Sequence, residues 1–319
     1  MATARRRGNR GLWPVLIGVG VVLALVGYLA VRFVHSAVSD VCTARGADGT
    51  TVTLDPDQAS DAATIAAVAH ARGLPEQAVI IALATAIQES KLRNLAHGDR
   101  DSLGLFQQRP SQGWGSAAQI RDPVYAAGRF FDALVKVPDY TGLPVTVAAQ
   151  NVQHSGYPTA YARHEVMAAT LANVLTGQDG PALSCTLRAA GEGGTNAVPA
   201  DGGSGTGGVE ADRGRGAAGV VHEGGHDAGG VAAEVRREFG AVPAAVATAG
   251  DSVTYPVTET ATGWSLALWL VCHAGTLHSA SVTSVTFDHR GWSSAASGRG
   301  WTHIQPASAE SPAAAVGVG

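Results

Sequence analysis

Apolar positions along the chain fall into three kinds of stretch. The first is continuous: Leu12 to Val31 runs 20 residues without a charge. At about 1.5 Å per residue, such a helix spans roughly 30 Å, the thickness of a bilayer's hydrocarbon core. The second kind has helical spacing. Ser60-Asp61 offers an N-cap, and Ala63 to Arg72 predicts a helix with Ile65, Val68 and Ala69 inward, stopped by Gly73. Pro75 suits the first turn of a helix whose buried face carries Val79, Ile80, Leu83 and Ile87. Asp122-Pro123 opens another, Val124 to Val135, with Tyr125, Phe130, Phe131 and Leu134 at core-like spacing. Pro144 to Val152 and Glu165 to Leu175 predict two more.

A third kind of stretch lies beyond residue 230. Val231 to Phe239 is amphipathic, and Trp264 to Ala274 is an apolar helix carrying Cys272 as a core thiol. Val282 to Phe287 reads as a strand and Asp288-His289-Arg290-Gly291 as a turn. Trp292 and Trp301, read as core residues, flank a return strand. Between the helical and mixed regions, Ala189 to Gly230 is rich in Gly, Ala, Asp and Arg and low in bulky apolar residues, the composition of a linker. His222, His226 and Asp227 sit in it and read as solvated side chains, with no metal implied.

The organisation expected is a basic tail (1–11), a membrane-spanning signal-anchor (12–34), a polar stalk (35–59), a mainly α domain (60–187), a disordered linker (188–230), a small α/β module (231–305) and a loose tail (306–319). With 319 residues, two domains are the natural prior. Arg5-Arg6-Arg7 and Arg10 precede the apolar run, which puts the N-terminus in the cytoplasm and the bulk of the chain outside. The alternative is a secreted chain, cleaved after His35-Ser36-Ala37. A single span argues against a transporter. The net charge of −4 gives no reason to expect nucleic-acid binding. Three cysteines are too few for a disulfide framework, yet Cys42 precedes the first helix and Cys185 follows the last of the α domain. In an oxidising space outside the membrane, that pair is expected to staple the domain's ends.

The chemistry concentrates between Ala82 and Gly115, ALATAIQESKLRNLAHGDRDSLGLFQQRPSQGWG. Glu89 falls at the end of an apolar helix, where the partial negative charge of the carbonyl terminus disfavours a carboxylate. An acid that keeps its proton is what glycosidic cleavage needs, because the leaving oxygen must be protonated as the bond breaks. The loop from Asn94 to Trp114 has no sustained periodicity, clusters Asp99, Arg100 and Asp101, and carries Gly98, Gly104 and Gly113. Arg100 and Arg109 are available to pair with those acids.

Glu89-Ser90, followed by Ser102-x-Gly104-Leu105-Phe106-Gln107, resembles the signature of the lysozyme-like lytic transglycosylase superfamily (SLT type). The longer run is similar to actinobacterial membrane-anchored lysozyme-like proteins with a small C-terminal module. The resemblance covers about Ala62 to Leu175. It implies a lysozyme-like fold and an enzyme that cuts peptidoglycan glycan strands, with Glu89 as general acid and base and no cofactor. Where the family holds A-Y-N-x-G, this chain has Ala149-Gln150-Asn151-Val152-Gln153: the Asn matches, Gln replaces Tyr, and Gly is displaced to Gly156. Gln150 and Gln153 would then hydrogen-bond sugar, and Tyr157 and Tyr161 would supply the missing aromatic surface. Ser90, Asp99, Ser102, Gln107, Gln108 and Asn151 complete the expected substrate contacts.

Two chemical routes follow from the resemblance. In one, the muramic acid 6-hydroxyl attacks internally and gives a 1,6-anhydro product. In the other, a second carboxylate, Asp101 or Asp99, activates water. The rival from another class is a non-catalytic wall-binding or scaffold protein that keeps the cleft for recognition alone. The C-terminal module offers a docking surface for a cell-envelope partner.

Overall fold

The structure, a computed structural model, describes residues 17–18, 20–28, 40–188, 219–224, 228–240, 246–247, 252–276 and 282–304. It is about half helical with a few small sheets, mainly α with a small β-containing module. The chain divides into two units, Met1–Ser39 and Asp40–Gly319. In the first, residues 17–18 and 20–28 are helical, and Ile17, Val21, Val22, Leu23, Leu25 and Val26 are exposed. Among the described residues, no helix is long and apolar enough to cross a membrane, and the rest of the predicted span lies outside them. The tail 306–319 also lies outside.

The second unit begins with a strand where the sequence suggested a stalk. Strands β1 (Val41–Arg45) and β2 (Thr51–Leu54) join β3 (Leu183–Thr186) in an antiparallel sheet ordered β2-β1-β3. Cys42, Ala44, Val52, Leu54, Leu183 and Cys185 are all buried, the period-2 alternation of a half-buried sheet. Cys42 faces Cys185 in register, and the two form a disulfide, as expected.

Helix α1 (Pro56–Ala71) starts well before the expected Ala63. Its N-cap is Asp55, in a capping box with Gln58, and Pro56 occupies the first turn, where its missing N–H costs nothing. Ser60-Asp61 is therefore inside the helix. Ala59, Ala62, Ala63, Ala66, Ala67 and Ala69 are all buried, so α1 lacks a polar face over much of its length. Small side chains let neighbours approach closely. Helices α2 (Glu76–Ser90), α4 (Pro123–Leu134), α7 (Ala228–Phe239) and α8 (Thr260–His273) all pack on it. The short α3 (Ala117–Ile120), capped by Ser116, leads into α4. Helices α5 (Val145–Gln153) and α6 (Glu165–Leu175) pack on α2.

The C-terminal module contains an element the composition concealed. β4 (Gly219–Gly224) lies within the stretch read as linker and occupies the interior of a six-stranded antiparallel sheet. The order is β5-β6-β4-β7-β8-β9, with β5 Val246–Ala247, β6 Ser252–Pro256, β7 Val282–Phe287, β8 Arg290–Ser293 and β9 Thr302–His303. His222 is therefore a strand residue, while His226 and Asp227 lie outside the described residues. Cys272 and Trp292 are core residues, as read from the sequence. The buried residues of this module and of the helices before it form one continuous cluster.

Candidate functional site

Glu89 is the penultimate residue of α2 and is half-buried. The helix stops because Lys91 (φ 58°) and Leu92 (φ 57°) both take left-handed backbone angles, which turn the chain back on itself. Leu92 is fully buried and anchors that turn. The Ser90 hydroxyl lies 2.7 Å from the Leu105 carbonyl and 3.0 Å from the Ala86 carbonyl, and accepts from the Arg93 N–H. Ser90 thus ties the helix end to the glycine-rich loop.

Tyr161, on a 3-10 turn at Ala160–His164, donates its hydroxyl to Glu89 Oε1 at 2.7 Å. It is fully buried, so it is no aromatic platform for a sugar, as the sequence had suggested. Burial first, and then the Glu89 bond, push its phenol well above the usual range, which keeps it a permanent donor. No Arg or Lys among the described residues pairs with Glu89. Beside it, Gln88 Oε1 accepts from Arg163 and lies 3.0 Å from His164 Nε2.

The loop after Leu95 is packed from within. Ser102 Oγ donates to Gln107 Oε1 at 3.0 Å, and Gln107 Nε2 donates to the Gly104 carbonyl. A Cβ on Gly98 would fall 1.7 Å from Gln107 Oε1, so any larger residue there must displace the Gln107 side chain. A Cβ on Gly104 (φ 73°) would fall 2.5 Å from the Ile120 carbonyl, a backbone atom that cannot swing aside. Gln107 itself holds φ 48° and Arg100 φ 58°. Such backbone angles persist only where the surroundings over-determine them.

Asp101 and Gln108 take structural positions. Asp101 Oδ1 accepts from Arg109 Nε (2.8 Å) and Ser111 Oγ (3.0 Å), and Oδ2 accepts from the Ser111 N–H (2.8 Å). The Arg109 bond foremost, with those from Ser111, holds its carboxyl well below the usual carboxylate range. Gln108 is buried and donates to the Ala126 carbonyl, pinning the loop to α4, while Phe106 stacks on Phe130. Asp99 is exposed and lies 3.9 Å from Arg100.

On α5, Gln150 donates to the Ser155 carbonyl and Gln153 to the Phe106 carbonyl at 2.8 Å. Gln153 is thereby one residue from the Leu105 carbonyl that Ser90 grips. Asn151 and Gln153 line a cleft of about 530 Å³ with Trp114, Arg129, Lys136 and His154. Glu89 does not line this cleft; Gln153 reaches from it to the Phe106 carbonyl of the loop that Ser90 also grips. Tyr157 is exposed and free of the core.

The chain matches no known protein-family model and no curated protein.

Chemically, the Glu89 environment offers one carboxylate with a fixed neutral donor on one oxygen, and a rigid loop beside it. Ser90, Ser102, Gln107, Gln153 and Tyr161 are brought together around that loop, and Asn151 faces the adjoining cleft. Sequence reasoning did not anticipate Trp114, Arg129, Lys136 and His154 as cleft residues. The Trp114 indole in a glycine-rich loop was the available signal. Among the described residues, no group of three or more His, Cys, Asp or Glu is placed to hold a metal ion.

Proposed function

We propose that the chain is a membrane-anchored, extracytoplasmic enzyme of the lysozyme-like class that cleaves the glycan strands of peptidoglycan, with Glu89 as general acid and then base. The observation that carries this reading is the Tyr161–Glu89 contact: a half-buried carboxyl without a cationic partner, oriented by a buried phenol. A structural acid at a helix end would be solvated or salt-bridged. An oriented, unneutralised one is suited to deliver a proton to a glycosidic oxygen. The exposed apolar side chains of the helical residues 17–18 and 20–28 favour the anchor, and the Cys42–Cys185 disulfide favours an oxidising, extracytoplasmic location.

Glu89 protonates the leaving oxygen between N-acetylmuramic acid and N-acetylglucosamine, and positive charge develops on the sugar. Asp101, with both oxygens engaged by Arg109 and Ser111, is poorly disposed to activate water. That favours internal attack by the muramic acid 6-hydroxyl, with Glu89 taking its proton to give the 1,6-anhydro product. Asn151 and Gln153 present amides to sugar hydroxyls and acetamido groups in the adjoining cleft.

The test is mass spectrometry of purified peptidoglycan digested with the full-length chain, wild type against Glu89→Gln. Anhydro-muropeptides that disappear in the variant are the expected result. Reducing-end muropeptides would overturn the internal route and return the reaction to hydrolysis. No product from wild type that nevertheless sediments with the wall would overturn the enzyme and leave a binding protein.

A further inference from the structure

The outward face of the three-stranded sheet is roofed by the C-terminal module. Thr43, Arg45, Ser184 and Thr186 alternate with the buried positions of β1 and β3 and turn away from the core. Arg290 of β8, the turn ending at Arg299, and Trp301 line an open cleft of about 450 Å³ with them. No residue of the Glu89 loop lines it.

The charges in this cleft are unbalanced. Arg45, Arg290 and Arg299 all line it, and among the described residues no carboxylate does. None of the three forms an ion pair among the described residues, whereas Arg72, Arg93, Arg109 and Arg237 each meet an acid. A guanidinium only donates and stays charged at any physiological pH. Gathering three of them costs repulsion that an oxyanion would relieve, and each offers a fork matched to carboxylate or phosphate. A ligand with more than one acidic group uses all three.

The remaining walls narrow the class. The threonine and serine hydroxyls both donate and accept, which suits a hydroxylated ligand. Trp301 adds a flat apolar surface that is already fixed: its Nε1 donates to the Leu183 carbonyl at 2.7 Å, and its ring meets Trp264 edge-to-face at 5.2 Å. The volume is that of a small-molecule site. We infer that this cleft binds an acidic saccharide, a sugar chain bearing carboxylate or phosphate groups, at a site separate from Glu89.

Isothermal titration of the full-length chain tests this with tetragalacturonate and glucose 1,6-bisphosphate, against chitotetraose and inorganic phosphate. The inference expects one charged saccharide to bind, and which one it is separates carboxylate from phosphate recognition. Arg290→Gln/Arg299→Gln should weaken that binding about tenfold or more, and so should salt well above physiological strength. Arg45→Gln, on the opposite wall and exposed, should weaken it too, with an unchanged thermal melt. Binding by neither charged saccharide, or binding indifferent to all three arginines, overturns the inference. Chitotetraose binding that is as tight and as sensitive to Arg290→Gln/Arg299→Gln overturns the role of charge. Equal binding by inorganic phosphate reduces the cleft to an ion site.

Discussion

The Tyr161 hydroxyl reaches Glu89 Oε1 at 2.7 Å across 72 residues of sequence. One oxygen of the carboxyl is thereby fixed, and the other is left for chemistry. Tyr161→Phe keeps the buried ring and deletes the donor. We expect a loss of about 1 kcal/mol of folding stability. Glycan cleavage should fall roughly 10- to 100-fold, because a reacting group that wanders loses its near-attack geometry. The loss should appear in kcat with KM little changed, as the phenol touches the acid and not the sugar. A fall in KM-dependent binding alone would reassign Tyr161 to the substrate cleft.

Gly98 is the second constraint on the same loop. A methyl group there would meet Gln107 Oε1 at 1.7 Å and Ser102 Oγ at 2.4 Å. Both are side-chain atoms, so the strain falls on the Ser102–Gln107 hydrogen bond before it falls on the backbone. Gly98→Ala is expected to cost about 1–3 kcal/mol, the usual range for overpacking. Activity should suffer beyond that, with KM raised as the loop shifts. Steady-state kinetics beside a denaturant melt separates the two, and a variant with wild-type KM would remove the loop from substrate binding.

What the sequence made legible follows from how local the signals are. α6 is bounded as read, Glu165 to Leu175, because its spacing and flanks are self-contained. The Cys42–Cys185 pairing was legible because both cysteines lie next to recognisable helices. The strands beside them were not, since four or five residues with one alternation carry little signal. β4 was hidden in a glycine-rich stretch, and its partners β6 and β7 lie about 30 and 60 residues further on. At α1, Ser60-Asp61 was read as the start while the helix begins at Asp55-Pro56, and a run of buried alanines shows no periodicity that would have placed it. Around the candidate site, the place of Glu89 at a helix end was legible, but the burial of Tyr161 and the locking of Asp101 are tertiary facts. Arg109 and Ser111 were near Asp101 in sequence, yet only the loop's path shows that they take both its oxygens.

The disulfide closes a loop of 143 residues that contains the whole helical region from α1 to α6. On the loop-entropy estimate, a closure of that length is worth up to about 5 kcal/mol. Cys42→Ser/Cys185→Ser should therefore lower stability by several kcal/mol, and reduction with dithiothreitol should do the same to wild type only. Cys272 is buried in α8 and takes no part. Chemical denaturation with and without reductant checks this. Equal midpoints in all states would mean that the three-stranded sheet is closed without the bridge.

Glu238 on α7 joins the C-terminal module to α1, and it makes that junction sensitive to pH. Its carboxyl accepts from Trp269 Nε1 (2.6 Å) and Thr64 Oγ1 (3.1 Å), with His273 Nε2 at 3.8 Å. Burial pushes Glu238 up to about 8 against the opposing pull of those bonds, and holds His273 down to about 4. Burial, then Asp57, raises Asp61 to about 7. An acid whose folded value is raised contributes stability below its unfolded value and loses it as pH rises through the folded one. A depressed histidine contributes above its unfolded value of 6.5 and loses that as pH falls toward 4. Below pH 6.5 these effects oppose one another, and above pH 7 Glu238 carries most of the slope, with a smaller share from Asp61. Wild type should thus lose about 1 kcal/mol between pH 7 and 8. Glu238→Gln, which has no proton to lose there, should keep only the smaller Asp61 slope across that interval. Parallel stability curves for the two proteins from pH 7 to 8 would show that the carboxyl is already ionised in the fold, held by Trp269 and Thr64 as an anion.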